Sequence, residues 1–456
     1  MHNLSNSVSF IPFGLLTCFV NNAETRITEL ALNGFSFRTP EPIRCISSVR
    51  LHIFISEENR YQEMILTDWS FGYENVKQFY TEYTIFAKQE DYVKYVRYLF
   101  REYQNYISLK LTGDDAYLAS QLTDYPDGGE EEHYENFEEQ KKEWFQGISD
   151  AVKQWTAEER QEFAEVMANT ELAVELDRPK LQREYLDFGI DDFMEQYWIR
   201  NSFTGHPITQ KRVTRLYIGN QFCHLLCPER ELLYEILEKA RGEGLEITLS
   251  LSYLRESMVE QMEKMLEELY RWCGNQSEKV EIIVNDWGIF RLLCGKLDRI
   301  TPILGTLLNK IRKDPRYRYK IGADLDFPAE NSLNSGFYQR YLKENLGCSR
   351  FEYESCGHRV RLPKGRHSIH LPLYQTNTSQ YCTLFAQCTQ GARGIQRLPE
   401  KCPGYCSDLV FLYPKHLKMI GKYNSLFGYD DSLLVNPGQL ADYIMQGIDR
   451  IVWNLF

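Results

Sequence analysis

From about residue 212 onward, apolar strands alternate with amphipathic helices, and this alternation limits the fold more than any other feature of the chain. VTRLYIG reads as a strand, ERELLYEILEKARGEG as a helix ending on glycine, and LEITLSLS as a second strand. MVEQMEKMLEELYRW is a helix with Met258, Met262, Met265, Leu266 and Leu269 on one face. VEIIVND, a short helix GIFRLLCG, and ITPILG continue the series. Several of the strands are continuous apolar runs, the mark of a parallel sheet covered by helices. The sequence predicts an incomplete TIM-like (βα) barrel over residues 211–456. In such barrels the loops that follow the strands carry the chemistry.

Residues 1–115 differ in texture. FIPFGLLTCFV, RITELALNGFSFRTP, SVRLHIFIS and QEMILTDWSFG are short runs rich in β-branched and aromatic residues, punctuated by Gly, Pro and Asn. They predict a small antiparallel β-barrel. In EDYVKYVRYLFREYQNYI, Tyr92, Tyr95, Val96, Leu99 and Phe100 recur at helical spacing, so a helix closes that domain. YPDGGEEEH reads as a linker, and residues 116–210 as a polar, helical linker region. Thr156 and Glu159 there form a capping box. The fold class is α/β plus all-β, in three segments.

Charge and hydropathy exclude some functions. A net charge of -12 gives no general grip on nucleic acid, which wants a basic face. No stretch reaches the roughly 18 to 20 apolar residues of a membrane span. No Lys or Arg precedes FIPFGLLTCFV, and no small-residue cleavage site follows it, so it reads as a strand rather than a secretory signal. A cytoplasmic protein is expected, with its 12 cysteines as thiols or metal ligands rather than disulfides. Ser-His-Asp spacing, H-E-x-x-H and a P-loop are all missing from the sequence.

Four cysteines crowd one segment, CTLFAQCTQGARGIQRLPEKCPGYC, at Cys382, Cys388, Cys402 and Cys406. Thiolates are soft ligands suited to zinc or iron–sulfur clusters. Structural zinc favours tight C-x2-C knuckles, and the gaps here are wide and unequal. Four irons at separate cube corners need ligands from different directions, which such gaps allow. The spacing therefore favours a cluster over zinc, with unligated loop thiols as the third reading. Among the other polar candidates, Asp286 follows a strand, where it either binds substrate or caps the next helix. Asn285 and Asn309 stand at strand ends, and His370 lies in a strand-like run before the cysteines.

Several of these pieces, in order along the chain, resemble the peptidase U32 family. They are LYIGNQFC from Leu216 to Cys223, VNDWGIFRLL, ITPILGTLLN ending at Asn309, HLPLYQTNTSQYC from His370 to Cys382, and CPGYC. The resemblance covers about residues 210 to 456. It is closest to the members that support oxygen-independent ring hydroxylation in ubiquinone synthesis. It implies a [4Fe-4S] cluster on Cys382, Cys402 and Cys406, with either Cys223 or Cys388 as the fourth ligand. Zinc is the alternative metal. Cys227 is a further candidate. Cys18, Cys45, Cys273, Cys294 and Cys348 are expected to pack. An electron donor is an implied partner. His370, whose imidazole titrates near neutral pH, is the expected proton-transfer group, with Asp286 and Asn309 beside it. Protease activity is implied by the family's name alone.

ITELALNGFSFRTPEPI, with the helix that follows the barrel, resembles the PilZ domain, which in many proteins binds cyclic di-GMP. The family's arginine pair is absent, since no Arg precedes Arg26. Glu29, Ala31 and Gly34 stand at the family's Asp, Ser and Gly positions. The expectation is a barrel used for protein contacts, with little or no cyclic di-GMP binding. Two functions follow: an iron–sulfur hydroxylase-like enzyme acting on an aromatic ring or RNA base, or a non-catalytic regulatory or scaffold protein with a structural metal.

Overall fold

The computed structural model describes residues 4–9, 11, 14–58, 60–112, 138–274, 279–313, 330–391, 397–413 and 418–455. They form two compact units, one holding the described residues up to Thr112 and the other those from Glu138 onward. The YPDGGEEEH linker lies outside the described residues.

The first unit is an eight-stranded antiparallel sheet. Its strands are β1 (Val8–Ser9), β2 (Leu16–Val20), β3 (Ala23–Ala31), β4 (Gly34–Thr39), β5 (Val49–Ile55), β6 (Arg60–Ile65), β7 (Trp69–Val76) and β8 (Thr81–Ala87). The hydrogen-bonded order is β6-β5-β2-β3-β4-β8-β7, with β1 added on β3. Among the described residues this path ends on β6 and β7 rather than closing into the expected barrel. Gly34 is required where β4 meets β8, because a Cβ there would come within 2.1 Å of the Ile85 carbonyl oxygen. The helix Glu90–Thr112 buries Tyr92, Val96 and Leu99 against Leu30, Phe35 and Ile85. Its helical spacing does what the sequence predicts. The Tyr92 hydroxyl fixes the helix to the β3–β4 turn at 2.8 Å from the carbonyls of both Ala31 and Gly34.

The second unit is a closed barrel of eight parallel strands. They are β9 (Glu171–Leu176), β10 (Arg215–Gly219), β11 (Glu246–Ser250), β12 (Val280–Val284), β13 (Ile300–Leu304), β14 (Arg350–Glu354), β15 (His367–Leu371) and, last in the chain, β20 (Ile448–Trp453). β9 pairs with both β10 and β20, which completes the ring. Two expectations need correction. The barrel is closed, not incomplete, and its first strand lies inside the 116–210 stretch assigned to a helical linker. β9 reads ELAVEL, too short and too charged to look like a buried strand.

The reason for those charges is the barrel's interior. Side chains alternate across each strand. Leu172, Val174, Ile218, Leu249, Ile282 and Ile369 join the large core shared with the helices. Ala173, Tyr217, Ile283, Ile303 and Val452 form a separate small cluster. Near the N-terminal ends of the strands, Arg450 reaches Glu171 at 2.6 Å and Glu281 at 2.7 Å. Arg215 meets the same two carboxylates at 2.7 and 3.0 Å. Burial would raise the Glu281 carboxyl, but Arg450 and Arg215 outweigh it and hold the group down at about 2.

A smaller antiparallel sheet is inserted between β15 and β20. It consists of β16 (Leu373–Thr378), β17 (Phe411–Leu412), β18 (Met419–Lys422) and β19 (Ser425–Tyr429), in the order β16-β19-β18-β17. The tip of its β18–β19 hairpin lies over the barrel. Lys422 pairs with Asp177, just past β9, at 2.7 Å, and Asn424 donates to the Phe222 carbonyl, just past β10, at 2.8 Å.

Removing Arg450 leaves two carboxylates buried and underpaired, a change that costs about 3–5 kcal/mol in buried ion pairs. Arg450→Ala is expected to lose stability on that scale in urea unfolding, whereas the exposed Arg366→Ala loses less than about 1 kcal/mol.

Candidate functional site

Because all eight strands run the same way, the residues just past their C-terminal ends share one face. Asp177, Asn220, Ser252, Asn285 and Asp286 are there, and the chain leaves β15 from that face into the inserted sheet. Cys223 follows β10. The Asn220 side chain accepts the backbone N–H groups of Phe222 at 2.8 Å and Cys223 at 2.9 Å, which fixes the turn. Cys382 follows β16 and caps the helix Thr383–Gln390, its sulfur accepting the Phe385 N–H at 3.3 Å. Gly404, at φ +83, turns the chain between Cys402 and Cys406, and its N–H donates to the Cys402 sulfur at 3.4 Å.

Burial and neighbouring sulfurs together shift several of these thiols. Burial first, then Cys382 and Cys402, pushes the Cys223 thiol up to about 12. Burial, then Cys223, Cys382 and Cys402, raises Cys406 well above the usual thiol range. Burial, opposed by the Phe385 N–H and aided by Cys402, brings Cys382 to about 11. Cys388, two turns along the helix, is raised by burial and by Cys402. Cys227 is pushed up to about 11 by burial. Among the described residues, no group of three or more His, Cys, Asp or Glu side chains is gathered to hold a metal ion as the side chains stand. All 12 cysteines are free thiols. Of those expected to pack, Cys18, Cys273 and Cys348 are buried, but Cys45 and Cys294 are exposed.

The polar candidates have separate roles. Asp286 caps the helix Trp287–Leu292, accepting the Gly288 N–H at 2.6 Å. Asn285 donates to the Leu251 carbonyl at 3.0 Å and to Gln221 at 3.3 Å, and accepts the Leu307 N–H at 3.0 Å. It is a strand-end brace. Asn309 is buried and accepts from the Ser332 hydroxyl at 3.2 Å. His370 is buried inside the barrel, between Glu175 at 2.9 Å and Glu352 at 2.7 Å.

Burial alone would lower the His370 pKa, but the two carboxylates reverse this and hold it at about 10. The ring is therefore an imidazolium at neutral pH with both nitrogens engaged. This differs from the near-neutral proton-transfer group expected from the sequence.

Sequence reading missed Glu175 and Glu352, which lie far from His370 along the chain. Their signal was the charged residue at alternate positions of ELAVEL and RFEYE. It also missed Tyr253, whose hydroxyl is raised to about 12 by burial and then by Cys223, and which accepts from Asn424 at 3.3 Å. Cys356 was overlooked as well; it is buried, 3.1 Å from the His358 ring nitrogen Nδ1.

Together these features define a closed parallel α/β barrel with thiols near the C-terminal face of its strands, Cys406 buried and Cys223, Cys382 and Cys402 half-buried. No known family model matches the sequence. No curated protein matches it. Among solved structures, the crystal structure of the Legionella uncharacterized protein Lpg0364 aligns with 22% of this chain and 96% of its own, at 13% identity and a TM-score of 0.17. A likeness that low carries no argument about fold or function. No described helix is long and apolar enough to cross a membrane.

The His370 clamp sets a pH dependence. The folded state keeps a proton that the unfolded chain releases above about 6.5. This contribution to stability is complete below about pH 6.5 and is lost as the pH rises through about 10. In urea unfolding at a series of pH values, His370→Gln is expected to be less stable than the parent at pH 6 and to show a shallower alkaline decline. An unchanged alkaline slope would remove His370 as its source.

Proposed function

We propose that this chain is an iron–sulfur protein of the peptidase U32 type, with Cys223, Cys382, Cys402 and Cys406 holding a [4Fe-4S] cluster. The observation that carries this reading is geometric: Asn424 donates both to the Phe222 carbonyl, beside Cys223, at 2.8 Å and to the Ser379 carbonyl, three residues before Cys382, at 2.5 Å, which draws together two distant parts of the chain that carry these cysteines. The donor chemistry fits, being soft sulfur with the N–H groups of Phe385 and Gly404 directed at the Cys382 and Cys402 sulfurs, while the side chains as they stand are not gathered on one point, so binding would draw them together. Hydrogen bonds to sulfur are among the factors that set a cluster's potential. Of the two candidates for the fourth ligand, after burial, Cys223 raises Cys406 and Cys388 raises Cys382; we take Cys223, and the alanine variants separate the two.

A bound cluster would supply electron transfer for oxygen-independent hydroxylation, a two-electron oxidation in which electrons leave an aromatic ring or RNA base, or for a related modification. The chain's own residues hold the site around it. Asn220 fixes the backbone at Cys223. The Asn424 amide ties the inserted hairpin to Phe222 and to Ser379. Tyr253 presents a phenol beside Cys223 and Cys382. An electron-transfer partner protein completes the proposal.

One observation favours the second reading, a regulatory protein with a structural metal, zinc included. The barrel centre is filled by Arg215, Arg450, Tyr217, His370 and their carboxylates rather than left open for a substrate. In either reading the N-terminal unit, which resembles PilZ, serves protein contacts. Arg38 there is already engaged, 2.9 Å from Glu82 and stacked 4.5 Å from the Tyr80 ring centre.

Protein purified without air is expected to be brown, with about four irons and matching sulfide. Alanine at Cys382, Cys402, Cys406 or Cys223 should bleach it, while Cys388→Ala should keep its colour. Colourless protein with stoichiometric zinc would overturn the cluster. Calorimetry of the full chain with cyclic di-GMP should show no sub-micromolar binding, since each missing charged phosphate bond forgoes roughly 1.5–3 kcal/mol.

A further inference from the structure

Just past the end of β9 the chain buries Asp177 and Arg178, and the inserted hairpin adds the buried Lys422. The Asp177 carboxylate is committed to that hairpin. Its Oδ2 accepts from the Lys422 amine at 2.7 Å and from the Tyr423 hydroxyl. Arg178 Nε lies 3.5 Å from Asp177 Oδ1, and its Nη2 donates to the Leu455 carbonyl, past β20, at 3.5 Å.

These contacts set Arg178 among the segments that carry the thiols. Two residues along from it, Lys180 pairs with Asp408 at 2.7 Å, and Asp408 stands two residues past Cys406. Tyr423, held by Asp177, accepts the Cys382 thiol on its carbonyl oxygen at 3.1 Å. Burial, then Cys223, Cys382 and Cys402, raise the Cys406 thiol, and Arg178 opposes them. The two buried cations differ in kind. Burial lowers the Lys422 amine, with Asp177 opposing. A guanidinium keeps its charge in proteins, so Arg178 is a permanent cation.

We propose that Arg178 sets the redox poise of the thiol site: resting on the cluster reading above, its buried charge beside Cys406 stabilises the electron that a reduced cluster carries and raises the reduction potential. A cluster on four thiolates is anionic, and one added electron makes it more so without making or breaking a bond. Net charge and burial both set such potentials, and a charge away from water is screened little. The direction suits the proposed reaction, in which electrons leave a ring, enter the site one at a time and pass to the electron-transfer partner. Arg178 acts through the charge of the site and is a positioning residue.

The test is a mediator-linked redox titration of the full chain, purified without air and followed by absorbance. Arg178→Met is expected to stay brown and to lower the midpoint by about 60 mV or more, a tenfold change in a one-electron equilibrium constant. Arg178→Lys, which keeps the charge, should change that constant less than threefold, as should Lys180→Met at the half-exposed neighbouring pair. Asp177→Asn removes the opposing charge and should raise the midpoint, which keeps the test decisive should Arg178→Met fail to fold. An unmoved midpoint in brown Arg178→Met protein overturns the proposal and leaves the cluster standing. So does an equal fall in Arg178→Lys, or an unmoved or lowered midpoint in Asp177→Asn. A colourless parent protein overturns the cluster reading and this proposal together.

Discussion

Arg450 is the interaction on which the barrel turns. It enters from the last strand, is almost wholly buried, and bonds to Glu171 on the first strand and Glu281 on the fourth. Its Nη1 also donates to the Tyr217 hydroxyl at 3.0 Å. One guanidinium thus ties β20 to β9, β10 and β12 across the closure. Buried charge is tolerated only when paired and hydrogen-bonded. Arg215 supplies the second cation, and Thr248 donates to Glu281 at 2.8 Å, so each carboxylate is met from more than one side.

Tyr217 carries this network along the barrel axis. Its hydroxyl also donates to Glu352 at 3.2 Å, and Glu352 holds His370. Burial opposes the Glu352 charge, but the His370 hydrogen bond prevails and keeps its carboxyl low. The chain of polar contacts reaches the C-terminal face through Gln221, 3.4 Å from His370, and Asn285. There the inserted hairpin closes over it. Burial lowers the Lys422 amine, but Asp177 opposes that shift as its ion-pair partner. The barrel interior thus carries a charged network beside a small apolar layer of Ala173, Tyr217, Ile283, Ile303 and Val452, where a common barrel would hold branched aliphatic side chains throughout.

Those inward charges explain which parts of the fold were legible in the sequence. β10 to β13 carry long apolar runs, and their intervening helices show a clear period, so those units could be read directly. The Thr156–Glu159 capping box formed as its spacing suggested, with bonds of 3.2 and 2.7 Å. β9, β14 and β15 were obscured because their inward positions are Glu, Arg, His and Ser, which read as surface in a one-dimensional pattern. His370 could be placed near the site, but not its protonation, since Glu175 and Glu352 come from strands far away in sequence. Asp286 stands after a strand, and its capping role follows from local chemistry alone.

The thiols at the barrel face pose a different physical question. A buried thiol is comfortable when protonated and packed, or when ionised beside a cation. Burial alone favours the first state, and it dominates at Cys223, Cys382 and Cys406. Other features work toward the second. The Phe385 N–H points at the Cys382 sulfur, the Gly404 N–H at the Cys402 sulfur, and Arg178 lowers Cys406. Donors aimed at sulfur stabilise thiolate more than thiol. A packed, unligated group would gain little from them, and four thiolates together would repel one another unless a cation stood among them. Burial and the directed N–H groups thus pull these sulfurs toward opposite protonation states, and the metal centre proposed above would resolve that opposition by adding positive charge beside them.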